Sequence, residues 1–460
     1  MYFKKLVNVN RWANYHYDKG MRFPRLIPIP IFLLLQMMVS SVLGFFFRRN
    51  EFWPGIDALA PIQNLGNSGG QVNTDLFVTS SLRISGRTPY NLVLKFADIL
   101  LPFGSEFALS VLSAVTIMLS ASLIFLALIL TLLKNTETGK YMIPSAFFLA
   151  YLVYVFGSIF VLKLPYGSSI LMADYGPTVS PWSTPEFFSM VLSGSGVIAL
   201  KFANRHGSRL NNIFVVFLLF FATLIHPASS FFFLLIIVVI GICLKTISQQ
   251  QLFMVSSAVT TAFAILGFIF MGDSTALSSP EFVEIYSRLR HPHHFVPSEY
   301  INLGNVVIYL FTFILSFMIC RMSNTHRVAL FSLFTAFILS NFVQFFFVEV
   351  IPFRLIAAFG SSRINTYVLI SCYIIVVHHL VSNLNGSQLA EKQEGNSTRV
   401  TRYTMIILLT VIFCCFTTNF VYQDYREFRS ETAREARSLK LDSGDLILVD
   451  SNVDTQGLRE

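Results

Sequence analysis

Charge is scarce in this chain. Asp, Glu, Lys and Arg make up 13% of its 460 residues, against about 25% in a typical soluble protein. That shortage excludes a large soluble domain. The longest polar stretches are the loop after the first apolar run and the tail after Val421. Cysteine is scarce as well. Cys243, Cys320, Cys372, Cys414 and Cys415 all fall inside apolar stretches, with no CxxC or metal-ligand spacing. Neither a disulfide framework nor a cysteine metal centre is expected. The amino-terminal pattern is not that of a cleaved signal peptide. Basic and aromatic residues in 1–26 precede a full-length apolar run, which reads as a signal anchor.

What the chain has in abundance is apolar sequence, at 54% hydrophobic residues and a mean hydropathy of +0.63. Runs of ~20 apolar residues, enough to cross a ~30 Å hydrocarbon core, recur from end to end. The expected fold is an all-α polytopic membrane protein with about eleven transmembrane helices. The spans read as Ile27–Phe47, Phe107–Leu133, Tyr141–Leu162, Phe187–Phe202, Ile213–Ile225, Ser229–Leu244, Phe253–Met271, Val306–Cys320, Val328–Phe347, Thr366–Val381 and Tyr403–Val421. Between them lie four expected outer loops, 48–106, 163–186, 272–305 and 348–365, and a tail follows over 422–460.

The net charge of +8 and pI near 9.2 come mainly from short loops between spans, where basic residues set orientation rather than mark a nucleic-acid surface. Lys4, Lys5, Arg11, Lys19, Arg22 and Arg25 place the amino terminus in the cytoplasm, and the span count then puts the carboxyl terminus outside. Alternate later junctions are basic in turn, from Lys134 and Lys140 to Lys392, Arg399 and Arg402. In the first outer loop, PYNLVLKFADILLPFG suits a helix lying on the interface. The apolar stretch from Ile213 to Leu244 is too long for one crossing and is interrupted by His226-Pro227-Ala228-Ser229-Ser230. It reads as two short helices meeting at a His-Pro turn, with His226 at the outer membrane surface.

Orientation rules leave the outer arginines unexplained. Arg288, Arg290, His291, His293 and His294 crowd one loop that Pro292 and Pro297 stiffen. Guanidinium groups match phosphate oxygens in pairs, and imidazole moves protons near neutral pH. Two readings stand level: a site for an anionic ligand, or an interfacial loop on lipid headgroups. The His-x-His-His run could also supply zinc ligands, although no carboxylate or cysteine set completes such a site. Asp57 and Asp75 in the first outer loop suit a general base or metal ligand, or simply cap turns. Arg354 and Arg363 lie between two spans. An arginine among apolar residues marks a ligand cavity or snorkels to headgroups, and Glu349 offers Arg354 a partner.

The string RLRHPHHFVPSEY resembles the R-x-P-H-H-x-x-P-S loop of a bacterial family of polytopic membrane proteins of largely unknown function. That family is similar in organisation to the GT-C class of membrane glycosyltransferases. NTDLFVTSS, LIHPASS and IPFRLI resemble its other motifs, in the same order; Ile351 stands where its usual Gln precedes the Pro-x-Arg element, and the carboxyl-terminal appendage is shorter. The resemblance implies a glycosyltransferase or polysaccharide polymerase in the bacterial inner membrane. It would take a sugar from a polyprenyl-phosphate or polyprenyl-diphosphate donor at the outer face, in envelope biosynthesis. Asp57 or Asp75 would then act as base or metal ligand. Arg288, Arg290, Arg354 and the histidines of the HPHH loop would hold the lipid phosphate, with His226 and Arg363 as further candidates. No cofactor is required by the sequence, and a divalent metal is left open. The rival readings are a transporter or flippase for a lipid-linked or anionic solute, and a non-catalytic envelope-assembly partner.

Overall fold

In the computed structural model, the described residues are 26–47, 93, 96, 99, 119–120, 122–133, 142–152, 184–206, 209–271, 278–290, 295–300, 303–321 and 323–390. They are mostly helical. The expected cytoplasmic segment before residue 26, the span Tyr403–Val421 and the tail over 422–460 lie outside them. So do Asp57, Asp75, His291, His293 and His294.

The first apolar run opens as a strand rather than a helix. Strand β1 (Leu26–Pro28) pairs antiparallel with β2 (Met142–Pro144), Ile27 opposite Ile143. Each strand ends on a proline, which has no N–H for a longer ladder, and a helix follows at once. These helices are α1 (Ile29–Phe47) and, after a further helix α2 over 122–132, α3 over 146–152. Pro30 sits in the first turn of α1, where a missing N–H costs nothing.

The main body follows. It comprises α4 (Thr184–His206), α5 (Arg209–Ile225), α6 (Pro227–Cys243) and α7 (Gln249–Met271). The short α8 (Ser279–Phe282) runs into a π-helical stretch, Val283–Arg290. Next come α9 (Pro297–Tyr300), α10 (Leu303–Ile319) and α11 (Asn324–Phe345), the last extended by π-helical Phe346–Val350. Then α12 (Arg354–Phe359) and a 3-10 turn, Ser361–Arg363, lead into α13 (Ile364–Ala390).

Among the described residues, three helical segments are long and apolar enough to cross a membrane: Gln249–Gly267, Asn324–Val350 and Arg354–Leu380. Shorter apolar helices include Leu210–Ile225 and Pro227–Cys243. Large apolar side chains such as Leu210, Phe217, Phe253, Met318, Phe331 and Leu339 face outward. Water would penalise so apolar a surface, whereas hydrocarbon accepts it. In the expected interfacial segment, Val93, Phe96 and Ile99 are helical, with Phe96 and Ile99 exposed.

Helix α6 is the hub, packed against α4, α5, α7, α11 and α13. It is apolar on every side and buries Phe232, Phe233, Ile236, Ile237 and Ile240. Its neighbours approach closely where side chains are small. A Cβ on Gly194 would fall 2.9 Å from Leu123 Cβ, and one on Gly196 would fall 2.5 Å from Leu219 Cδ2. Between α11 and α13, Asn341 and Asn365 exchange amide hydrogen bonds of 2.8 and 3.1 Å. Polar pairs of this kind fix helix register where apolar packing is not selective.

Candidate functional site

The site begins at the helix break. Pro227 cannot donate to continue the α5 ladder, so α5 stops at Ile225 and α6 restarts with Pro227 in its first turn. His226 is left between them at φ −142°, ψ 87°. This is the expected pair of short helices, meeting at the expected residue.

The half-buried His226 ring faces donors on both edges. Arg363 Nη1 lies 2.9 Å from its Nε2, and the Ser229 backbone N lies 3.4 Å from its Nδ1. Guanidinium donates and never accepts, so Nε2 must be the acceptor in the shorter contact. A neutral ring then carries its proton on Nδ1, and the longer Ser229 approach cannot be a hydrogen bond in that tautomer. The two contacts compete, and distance assigns the bond to Arg363.

Arg363 owes its position to a tight turn. Gly360 stands at φ +65°, ψ 68° between α12 and the 3-10 turn. This left-handed conformation favours glycine. A Cβ there would also lie 2.9 Å from Phe295 Cε1 and 3.3 Å from Arg363 Nε. The Arg363 guanidinium sits 5.7 Å from the Phe295 ring centroid, within cation–π range. Gln344 locks this turn to the chain around Phe295. Its Nε2 donates to Phe295 O at 3.0 Å, while its Oε1 accepts from Ser361 N at 2.8 Å and Ser361 Oγ at 3.0 Å. Just before Gly360, Phe359 lies in an aromatic cluster, its ring centroid between 5.1 and 5.8 Å from those of Phe231, Phe232 and Phe263.

The far side of His226 is held by α4. Buried Glu186 accepts from Ser229 Oγ at 2.6 Å. Ser189 Oγ donates to Ala222 O at 2.8 Å, and Ser193 Oγ meets Ser230 Oγ at 3.0 Å.

A second group sits beside this one. Val283, Val296, Val348 and Ala357 form a small core that joins the two π-helical stretches to α12 and the residues after the HPHH run. Arg354 lies over the Phe282 ring, 4.9 Å from its centroid. Glu349, the partner expected for Arg354, instead accepts from Ser298 N at 2.9 Å. The reason is reach: the π-helical turn carries Glu349 toward α9, and Arg354 begins a new helix beyond Pro352. Arg288 is exposed, 3.3 Å from Glu284 and 3.5 Å from Val348 O. Arg290 ends its π-helical stretch.

The structure therefore brings Arg363 against both His226 and Phe295, the residue immediately after His294, and seats Arg288 and Arg354 on the adjoining small core. Glu186 and Gln344 were not read from the sequence. For Gln344 the one signal was polarity inside an apolar run, and Glu186 stood at the end of the expected outer loop 163–186. His326, His378 and His379 gather at the other ends of these helices, His326 Nε2 lying 2.8 Å from His378 Nδ1. Among the described residues, no group of three or more His, Cys, Asp or Glu side chains is placed to hold a metal ion.

Fold and surface define a mostly helical protein of membrane type, with a polar cluster where several helices begin or end. No family model matches the chain, and no curated protein matches it.

Proposed function

We propose that this protein is a membrane glycosyltransferase or polysaccharide polymerase of GT-C-like organisation, built from about eleven spans. It takes a sugar from a polyprenyl-phosphate-linked donor at the outer face of a bacterial inner membrane. The observation that carries the proposal is the contact of Arg363 with His226 beside Phe295. A guanidinium and an imidazole at a helix break, with the Phe295 ring beside the guanidinium, suit an anionic headgroup on an apolar tail. The histidines of the HPHH run, which follows Arg290 and precedes Phe295 in sequence, would help to hold the same phosphate. Asp57 or Asp75 from the first outer loop would supply the base or metal ligand.

The test is transfer in proteoliposomes from a radiolabelled polyprenyl-phosphate sugar. Arg363→Ala, Arg290→Ala and His293→Ala should each abolish labelled product while membrane insertion is unchanged. Asp57→Ala and Asp75→Ala separate the base from the bystander, and full turnover in both rejects the first-loop acid. A cysteine at position 293 should be labelled only from outside. Undiminished product in the arginine and histidine variants would overturn the enzyme reading. Accumulation of unmodified solute inside the liposomes would favour a transporter.

A further inference from the structure

Glu186, Ser189 and Ser193 lie at helical spacing on one face of α4. All three reach the helix break. The two serines make short hydrogen bonds that clamp α4 to α5 and α6. Glu186 differs in kind. It is a carboxylate only 1% exposed, and burying one is costly unless its acceptor capacity is used. A serine would have served for a clamp.

Its bond falls on a particular hydroxyl. A serine inside a helix can turn back on the carbonyl four residues earlier, but for Ser229, in the first turn of α6, that carbonyl belongs to Ile225 at the end of α5. Glu186 draws that hydroxyl across to α4 instead, at 2.6 Å. The backbone N of the same serine abuts one edge of the His226 ring at 3.4 Å, and Arg363 meets the other at 2.9 Å.

We infer that Glu186 is a positioning residue of the proposed site: through Ser229 it sets the first turn of α6 so that His226 presents Nε2 to Arg363. This rests on the reading that His226 and Arg363 hold the donor phosphate. It adds a fixed acidic support from α4, separate from the first-loop carboxylates.

The experiment uses the full chain in nanodiscs with nitrogen-15-labelled histidine. One readout is the pair of His226 ring-nitrogen resonances. The other is affinity for a polyprenyl monophosphate carried in the same nanodiscs. Wild-type His226 should show an acceptor-type Nε2 and a protonated Nδ1. Glu186→Leu and Ser229→Ala should both shift these resonances. Both should weaken affinity by roughly ten- to a hundredfold, by analogy with the loss of a group that orients a metal-binding histidine. Glu186→Gln keeps an acceptor oxygen for Ser229 and should recover most of that loss.

Unchanged resonances and affinity in Glu186→Leu and Ser229→Ala would overturn the inference. Glu186→Gln as damaging as Glu186→Leu would do so too, because the charge rather than the bond to Ser229 would then matter. If Glu186→Leu fails to fold, Ser229→Ala and Glu186→Gln decide the question alone. A wild-type protein that binds no polyprenyl phosphate rejects the function proposed above, and the resonances still decide the role of Glu186.

Discussion

Gln344 donates its side-chain amide to the backbone carbonyl of Phe295, 3.0 Å away. One buried side chain on α11 thereby holds both the residue after the HPHH run and, through Ser361, the turn that aims Arg363. Replacing it with Leu strands a buried carbonyl and a buried N–H. Each stranded group costs about 1–3 kcal/mol, so Gln344→Leu should lose ~2 kcal/mol or more of stability. Gln344→Glu keeps the acceptor for Ser361 but sets a buried carboxylate oxygen against the Phe295 carbonyl, and should be at least as destabilising as Leu. Equilibrium unfolding in mixed micelles checks the order; a Glu variant close to wild type would show that the donor bond is not the main contribution.

Arg363 illustrates why charge alone is not enough. Its guanidinium donates to His226 Nε2 while lying beside the Phe295 ring. Lysine keeps the charge but lacks the planar fork that fits both contacts. Arg363→Lys should weaken polyprenyl phosphate binding by roughly tenfold or more, the equivalent of one charge-assisted hydrogen bond. Nanodisc binding measurements would show this. Equal affinity in the two proteins would mean that only the net charge matters.

The helices were legible in the sequence, and the contacts between them were not. Long apolar runs fix helices with little competition, and a proline without an N–H fixes the break at His226. The pairing of β1 with β2 was hidden because Leu26–Ile27 and Met142–Ile143 look like the openings of apolar spans. The π-helical stretch Val283–Arg290 was hidden because its apolar spacing fits several helical periods. Of the site, local motifs exposed His226, Arg354 and Arg363. Glu186 and Gln344 act only through residues distant in sequence, Ser229 and Phe295, and no local pattern encodes those meetings.

Two nearby glycines separate backbone from side-chain crowding. An added Cβ on Gly194 would press on Leu123 Cβ and on its backbone carbonyl carbon at 3.0 Å, whereas Gly196 faces only side-chain atoms of Leu219 and Leu218. Backbone cannot turn away, and a leucine tip can. Gly194→Ala should therefore cost about 1–3 kcal/mol, the usual range for overpacking, and Gly196→Ala less. The reverse order in unfolding measurements would mean that α2 and α4 do not meet as closely as this.

The helix bearing Arg288 is started by a capping box, and its pH response follows from that geometry. Ser278 donates both its N–H and its hydroxyl to Glu281 Oε2, at 2.9 and 2.7 Å. These bonds, the hydroxyl's foremost, favour the charged form and hold the Glu281 carboxyl below its ordinary range. A carboxyl with a depressed folded-state value contributes stability that is complete above its unfolded value and is lost as pH falls through the folded one. Amide exchange at Glu281, Phe282 and Val283 should thus stay protected from pH 8 to pH 5 and rise only in acid below the ordinary carboxylate range. Glu281→Gln retains an acceptor oxygen without the charge, so its protection should be weaker and flat across the same acid range. A wild-type transition near neutral pH would instead trace to another group, because Glu281 is already ionised there.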